Sequence, residues 1–90
     1  MAFRLKFSAR ALREIGEART WYETQHPGLG EEFIAAIELQ LKRLEQAPLL
    51  YAEIIPKVHR ALLSRFPYGL FYAVRRDLVY VLAVLHAATG

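Results

Sequence analysis

Phe3, Leu5 and Phe7 alternate with Arg4 and Lys6, the period of a half-buried strand. The polar parity points to solvent, which places this strand near a sheet edge. Ser8 is a good N-cap. From Ala9 to Gln25, the residues Ala11, Ile15, Ala18 and Tyr22 recur at spacings of four, three and four, an amphipathic helical stripe that Leu12 widens. Arg10, Arg13, Glu14 and Glu17 occupy much of the other side, with Arg13 and Glu17 spaced for an i,i+4 pair. Gly16 lies inside this helix and weakens it by ~1 kcal/mol relative to Ala, unless a neighbour packs closely there. His26-Pro27-Gly28-Leu29-Gly30 ends the helix and leaves a short link. Glu31 and Glu32 suit the first turn of a second helix, in which Ile34, Ile37, Leu41 and Leu44 recur with Phe33 beside them. Pro48 marks its end. Two amphipathic helices so joined form an antiparallel hairpin.

Leu49–Val58, with Pro56, reads as a loop leading into a short strand. Beyond it the period changes. Ala61-Leu62-Leu63 is a short apolar run stopped before Pro67, which cannot donate to a ladder. Leu70–Val74 and Leu78–Leu85 are rich in β-branched and aromatic residues, with Arg75-Arg76-Asp77 as a tight connection. The last run is apolar on both parities: Leu78, Tyr80, Leu82 and Val84 on one face, Val79, Val81, Ala83 and Leu85 on the other. A strand with two apolar faces is central. The predicted order is β-α-α-β-β-β, an α+β layer with the helical hairpin on one face of a mainly antiparallel sheet. Ile15, Tyr22, Ile37, Leu41, Val81 and Ala83 are predicted core residues, and the other face of the sheet is left open for function.

Ninety residues make a single domain, 1–90, with one core and no internal repeat or linker. The chain has no cysteine, which excludes disulfides and thiolate-bound metal and fits a reducing cytoplasm. Its apolar runs are too short for a membrane span, and Met1-Ala2-Phe3-Arg4 opens no signal-peptide hydrophobic region. Cytoplasmic residence with no membrane partner is therefore expected. A net charge of +3 permits an acidic partner but is far below that of a dedicated duplex-DNA binder. With 54% hydrophobic residues, so small a domain cannot hide all of them. The edge strand Phe3–Phe7 and the helix grooves are the expected places for the excess, which makes Phe3, Leu5, Phe7, Leu12 and Trp21 candidates for contact with a partner.

His26, His59 and His86 have no metal-ligand spacing, and Gly28-Leu29-Gly30 is no phosphate loop because no strand precedes it. No cofactor is expected. His86 closes the most apolar strand, either as a strand-end histidine in partial solvent or as an acid–base or phosphate-contacting group. In the second reading it must converge with Arg65 or Arg60, with Lys57 and His59 as lesser candidates. Parity separates these: Arg65 runs with His59, Ala61 and Leu63, whereas Arg60 runs with Leu62 and Ser64, so bulges aside only one set shares a face. Tyr68 either packs in the sheet or offers a ring or hydroxyl to a nucleic acid. Trp21-Tyr22-Glu23 is expected to pin the helical hairpin, and Arg75-Arg76 to form a solvated turn.

Trp21-Tyr22-Glu23, Pro27-Gly28-Leu29-Gly30, Phe33, Pro48, Arg65-Phe66-Pro67-Tyr68, Phe71-Tyr72-Ala73-Val74 and Val81–His86, in this order, resemble the RelE/ParE toxin superfamily. The likeness is greater to its ParE-like, plasmid-stabilisation branch, and it covers nearly the whole chain. It implies the toxin of a type II toxin–antitoxin system, silenced by a cognate, ParD-like antitoxin in a hetero-oligomer. It also implies one of two targets: DNA gyrase, poisoned without a nuclease site, or mRNA in the ribosomal A site, cut without metal by clustered basic residues with a tyrosine or histidine. For cleavage, Arg65, Tyr68 and His86 would carry the chemistry; for binding alone, Arg60, Arg65, Tyr68 and His86 form the target surface. The superfamily usually continues past the last strand with a basic or aromatic tail, where this chain has Ala87-Ala88-Thr89-Gly90, and only Lys57 stands where the nucleases are lysine-rich. Both departures favour gyrase, with an attenuated relative as a further alternative.

Overall fold

The computed structural model describes residues 2–87; Met1 and the Ala88-Thr89-Gly90 tail lie outside them. Strand β1 (Arg4–Phe7) leads into helix α1 (Ala9–Gln25) and helix α2 (Leu29–Gln46). A 3-10 turn at Pro48–Leu50 precedes strands β2 (Glu53–Ile55), β3 (Val58–Leu62), β4 (Tyr68–Arg75) and β5 (Leu78–His86). The sheet order is β1-β5-β4-β3-β2. All neighbours are antiparallel except β1 and β5. This is the predicted α+β layer, with one more strand than the predicted order because the short β2 pairs with β3. The edge position of β1 and the central position of β5 follow from their patterns. No helix among the described residues is long and apolar enough to cross a membrane.

The helices form on their predicted residues for identifiable reasons. Ser8 caps α1, its Oγ accepting from the Ala11 N–H at 2.9 Å. The start of α2 has no cap of its own; instead the Glu23 carboxylate, at the end of α1, accepts from the N–H groups of Gly28 and Gly30, both at 3.0 Å. Those two donors hold the Glu23 carboxyl below its usual pKa. Tyr22 and Glu23 thus pin the hairpin as expected, while Trp21 is 55% exposed. The exposed-face pair of α1 is Arg10–Glu14 at 3.0 Å rather than Arg13–Glu17.

Tyr22, Ile37 and Val81 are buried, whereas Ile15 and Leu41 are half-buried at the core's margin. Phe33, Leu44, Leu70, Tyr72 and Val79 complete the centre. The segment after α2 is held by two side chains from the sheet. The Tyr72 hydroxyl donates to the Pro48 carbonyl, and His59 Nδ1 lies 2.7 Å from the Tyr51 carbonyl, with its ring stacked on Tyr72. Because the partner is a carbonyl, His59 carries its proton on Nδ1. Burial, with Tyr51 adding to it, pushes the Tyr72 phenol up to about 12.

Two glycines in the helical hairpin should respond with opposite signs. A Cβ at Gly30 would lie 2.8 Å from the Arg19 carbonyl oxygen, a backbone atom that cannot yield, so Gly30→Ala should cost about 1–3 kcal/mol. A Cβ at Gly16 meets nothing within 4 Å, so Gly16→Ala should stabilise by ~1 kcal/mol. Urea titration of both variants checks the pair. The phenol gives a second test. Its folded pKa lies above the ordinary 10.0, so the unfolded chain ionises first and stability falls as pH rises from 10 towards 12. Wild type should lose about 2–3 kcal/mol more across that window than Tyr72→Phe, measured by denaturation at stepped pH.

Candidate functional site

The placement of the candidate residues depends on an irregularity in β5. Tyr72 pairs with Val81, but Phe71 pairs with Ala83, so Leu82 is an extra residue, a β-bulge. Strand β1 stops at Phe7, opposite Val81, and leaves the outer edge of β5 uncovered beyond that point. Helix α1 covers it. Ser8 donates its N–H to the Val81 carbonyl at 3.0 Å and its hydroxyl to the Leu82 carbonyl at 2.8 Å. Glu14 Oε1 accepts from the Val84 N–H at 2.8 Å. The bulge reverses the alternation: Val79 and Val81 face the helices, and after Leu82 it is Val84 that enters the core cluster. Ala83, predicted to share the face of Val81, is buried but stands outside that cluster.

The reversal carries His86 to the helix side, directly opposite Tyr68 in the β4–β5 register. The two rings meet edge-on with centroids 5.3 Å apart. Tyr68 continues into an aromatic cluster with Tyr22 and Phe33 at 6.1 and 5.3 Å, and Phe66 joins it against both. Burial, with the Tyr68 phenol beside it, raises the Tyr22 pKa. Arg65 lies over the Phe66 ring and bonds Glu32 of α2 at 2.8 Å, with both side chains largely exposed. The string Arg65-Phe66-Pro67-Tyr68 is therefore a clamp of the sheet onto the helical hairpin, with its cation and its phenol at the margin.

Tyr68 and His86 line a cleft of about 320 Å³ together with Glu14, Glu17, Ala18, Trp21, Val84 and Leu85. Its ionisable rim is acidic apart from the imidazole. Arg60 does not belong to it: paired with Phe71 on β3, it alternates with the core-facing His59 and Ala61, so it stands on the open face of the sheet. Of the candidate target residues, the fold gathers Tyr68 and His86, sets Arg65 beside the same aromatic cluster and separates Arg60. Sequence reasoning missed Glu14 and Glu17 as wall residues, because nothing in a helix's charged face announces a bulged strand beside it.

Phe3, Leu5 and Phe7 pack half-buried against the core, leaving only the backbone edge of β1 open. Leu12 and Trp21 are exposed on α1. The largest apolar exposure lies elsewhere, at Leu49, Leu50, Ile54 and Ile55.

Solved structures share this architecture. A chain of the chromosomal ParDE toxin–antitoxin system from P. aeruginosa superposes with a TM-score of 0.82 at 20% identity, covering 94% of this chain and 96% of that one. The isolated E. coli RelE toxin gives 0.71 at 23% identity, covering 96% and 85%. A chain of the intact E. coli RelBE complex gives 0.69 at 23%, covering 92% and 94%. Among curated proteins none matches. The fold is thus that of the RelE/ParE toxin superfamily. The chain belongs to the family described as ParE toxin of type II toxin–antitoxin system, parDE, whose profile matches residues 5–89.

The Ser8 hydroxyl serves two backbone groups at once. Ser8→Ala should cost about 1–3 kcal/mol, since it removes a helix cap and a donor to the bulged carbonyl. Ser8→Thr, which keeps the hydroxyl, should recover most of that loss in the same urea titration.

Proposed function

We propose that this toxin acts by binding, as a ParE-like poison of DNA gyrase, and that a cognate antitoxin neutralises it. The observation that carries the reading is the acidic wall of the Tyr68–His86 cleft, formed by Glu14 and Glu17. Metal-free RNA cleavage needs cations where the phosphate gains charge, in addition to a base and an acid. Here the wall is Glu17 and an Arg10-paired Glu14, with no cation besides the imidazole among the described residues lining the cleft; Arg65 is already shared with Glu32, and Arg60 is on the other face. A protein target has no such requirement, and an exposed Trp21 beside Tyr68 and His86 gives it apolar anchorage with a polar rim. Arg65, Tyr68 and His86 form the target-binding margin. The family resemblance, whose profile spans residues 5–89, supports gyrase as that target.

Ribosome-dependent mRNA cleavage is the competing reading, and the 5.3 Å approach of Tyr68 and His86 favours it. For the antitoxin, the exposed Leu12 and Trp21 on α1 and the open edge of β1 offer a groove and a pairing strand. The solved E. coli RelBE relative is a toxin–antitoxin complex, and the P. aeruginosa relative belongs to a ParDE toxin–antitoxin system.

The purified protein should block supercoiling of relaxed plasmid by gyrase and leave mRNA on translating ribosomes uncut. Arg65→Ala should weaken the block at least ~10-fold while changing stability by no more than ~1 kcal/mol, the scale of an exposed ion pair. Intact supercoiling together with A-site cleavage of mRNA would reverse the assignment.

A further inference from the structure

The end of the sheet away from the cleft carries a second charged feature. The β2–β3 link is Pro56-Lys57 and the β4–β5 link is Arg76-Asp77, each a two-residue turn between paired strands. Each turn has one residue with positive φ, Lys57 at 68° and Arg76 at 56°. Such positions favour glycine or asparagine, because a Cβ there crowds the backbone. Both are held by cations instead.

The antiparallel registers bring the two turns to the same sheet end, and Lys57 and Arg75 line one cleft of about 590 Å³ with His59 and Val74. Lys57, Arg75 and Arg76 are exposed, and among the described residues none of them has an ion-pair partner. The nearby carboxylates are otherwise engaged. Asp77 pairs with Arg4 at 3.2 Å, and Glu53, which lines the cleft, accepts from the Lys57 backbone N–H at 3.2 Å. Three cations without an ion-pair partner among the described residues therefore stand in a row across adjacent strands, with the Glu53 carboxylate beside them in the cleft and two of them where the backbone is strained.

We propose that Lys57, Arg75 and Arg76 form a contact for the phosphate backbone of duplex DNA. The choice of DNA rests on the gyrase reading, since a topoisomerase poison meets its target with a duplex already held in it. The row extends across the ends of neighbouring strands, ~4.8 Å apart, and so offers a line of positive charge to an extended polyanion. The modest net charge of +3 makes this an auxiliary contact: weak on free DNA, effective on DNA presented by the enzyme. Strand β4 runs between this end and the Tyr68 end, so target protein and duplex are engaged at opposite ends of one sheet.

The test uses anisotropy of a fluorescein-labelled 20-bp duplex with the purified protein between 50 and 200 mM KCl. Three phosphate contacts predict a log–log salt slope of about −2.7, or about a 40-fold loss of affinity over that range. The variant Lys57→Gly/Arg75→Ala/Arg76→Gly should flatten the slope and weaken gyrase inhibition ~10-fold or more. Its melting temperature should not fall, because glycine relieves both turns. Duplex binding that is absent, insensitive to salt or unchanged in the variant overturns the proposal. So does displacement of the duplex by poly-glutamate as readily as by unlabelled DNA, which would assign the row to an acidic peptide. Gyrase inhibition that persists in the variant at full potency likewise overturns it and leaves the gyrase reading standing. Duplex binding with the expected slope but no effect on gyrase supports the DNA contact and removes the gyrase reading instead.

Discussion

A single hydroxyl on the first helix's cap decides what the last strand presents. Beyond Val81, β5 has lost its neighbour on one side, and its backbone groups need partners that no strand supplies. Ser8 and Glu14 supply them, and in doing so they accommodate the extra residue at Leu82. Without that residue, Val84 would leave the core and His86 would stand on the open face, away from Tyr68. The cleft, the aromatic cluster's outer margin and the position of the imidazole all follow from this local exchange of a strand partner for a helix.

The same exchange sets the electrostatics of the cleft. The carboxylate that satisfies the Val84 N–H is also one of its walls. A structural acceptor, itself paired with Arg10, thus occupies a wall where a nuclease would want a free cation. The cation nearest the aromatic cluster is likewise bound into the architecture, through Glu32 and the face of Phe66. Side chains that look catalytic when listed along the chain are here shared with the task of holding the sheet to its helices.

Much of the fold was legible because its signals are local. The bounds of α1 follow from Ser8 before it and Pro27 after it, and the two apolar parities of β5 marked it as central. What escaped was non-local. Leu82 is an ordinary strand residue, and no glycine announces its bulge; only the length of β1 in space creates the vacancy that Ser8 and Glu14 fill. The faces of Ala83, Val84 and His86 were therefore unreadable from alternation alone. Arg65 was singled out as part of a distinctive string, but its bond to Glu32 spans 33 positions and has no sequence signature. Arg76 read as an ordinary turn charge and Lys57 as a lesser companion of His86, and neither reading held a sign of their positive φ angles.

The pairing of β1 with β5 has a consequence in time. Among the described residues β1 pairs only with β5, and Arg4 aligns with Leu78 across nearly the whole chain. Closing so large a loop is entropically slow, so this pairing forms after the local hairpins have been made. During synthesis from the N-terminus, α1 and α2 emerge long before β5, and Ser8 has no bulged carbonyl to meet. The cleft needs that strand: its Tyr68–His86 wall exists only where β5 has paired with β4.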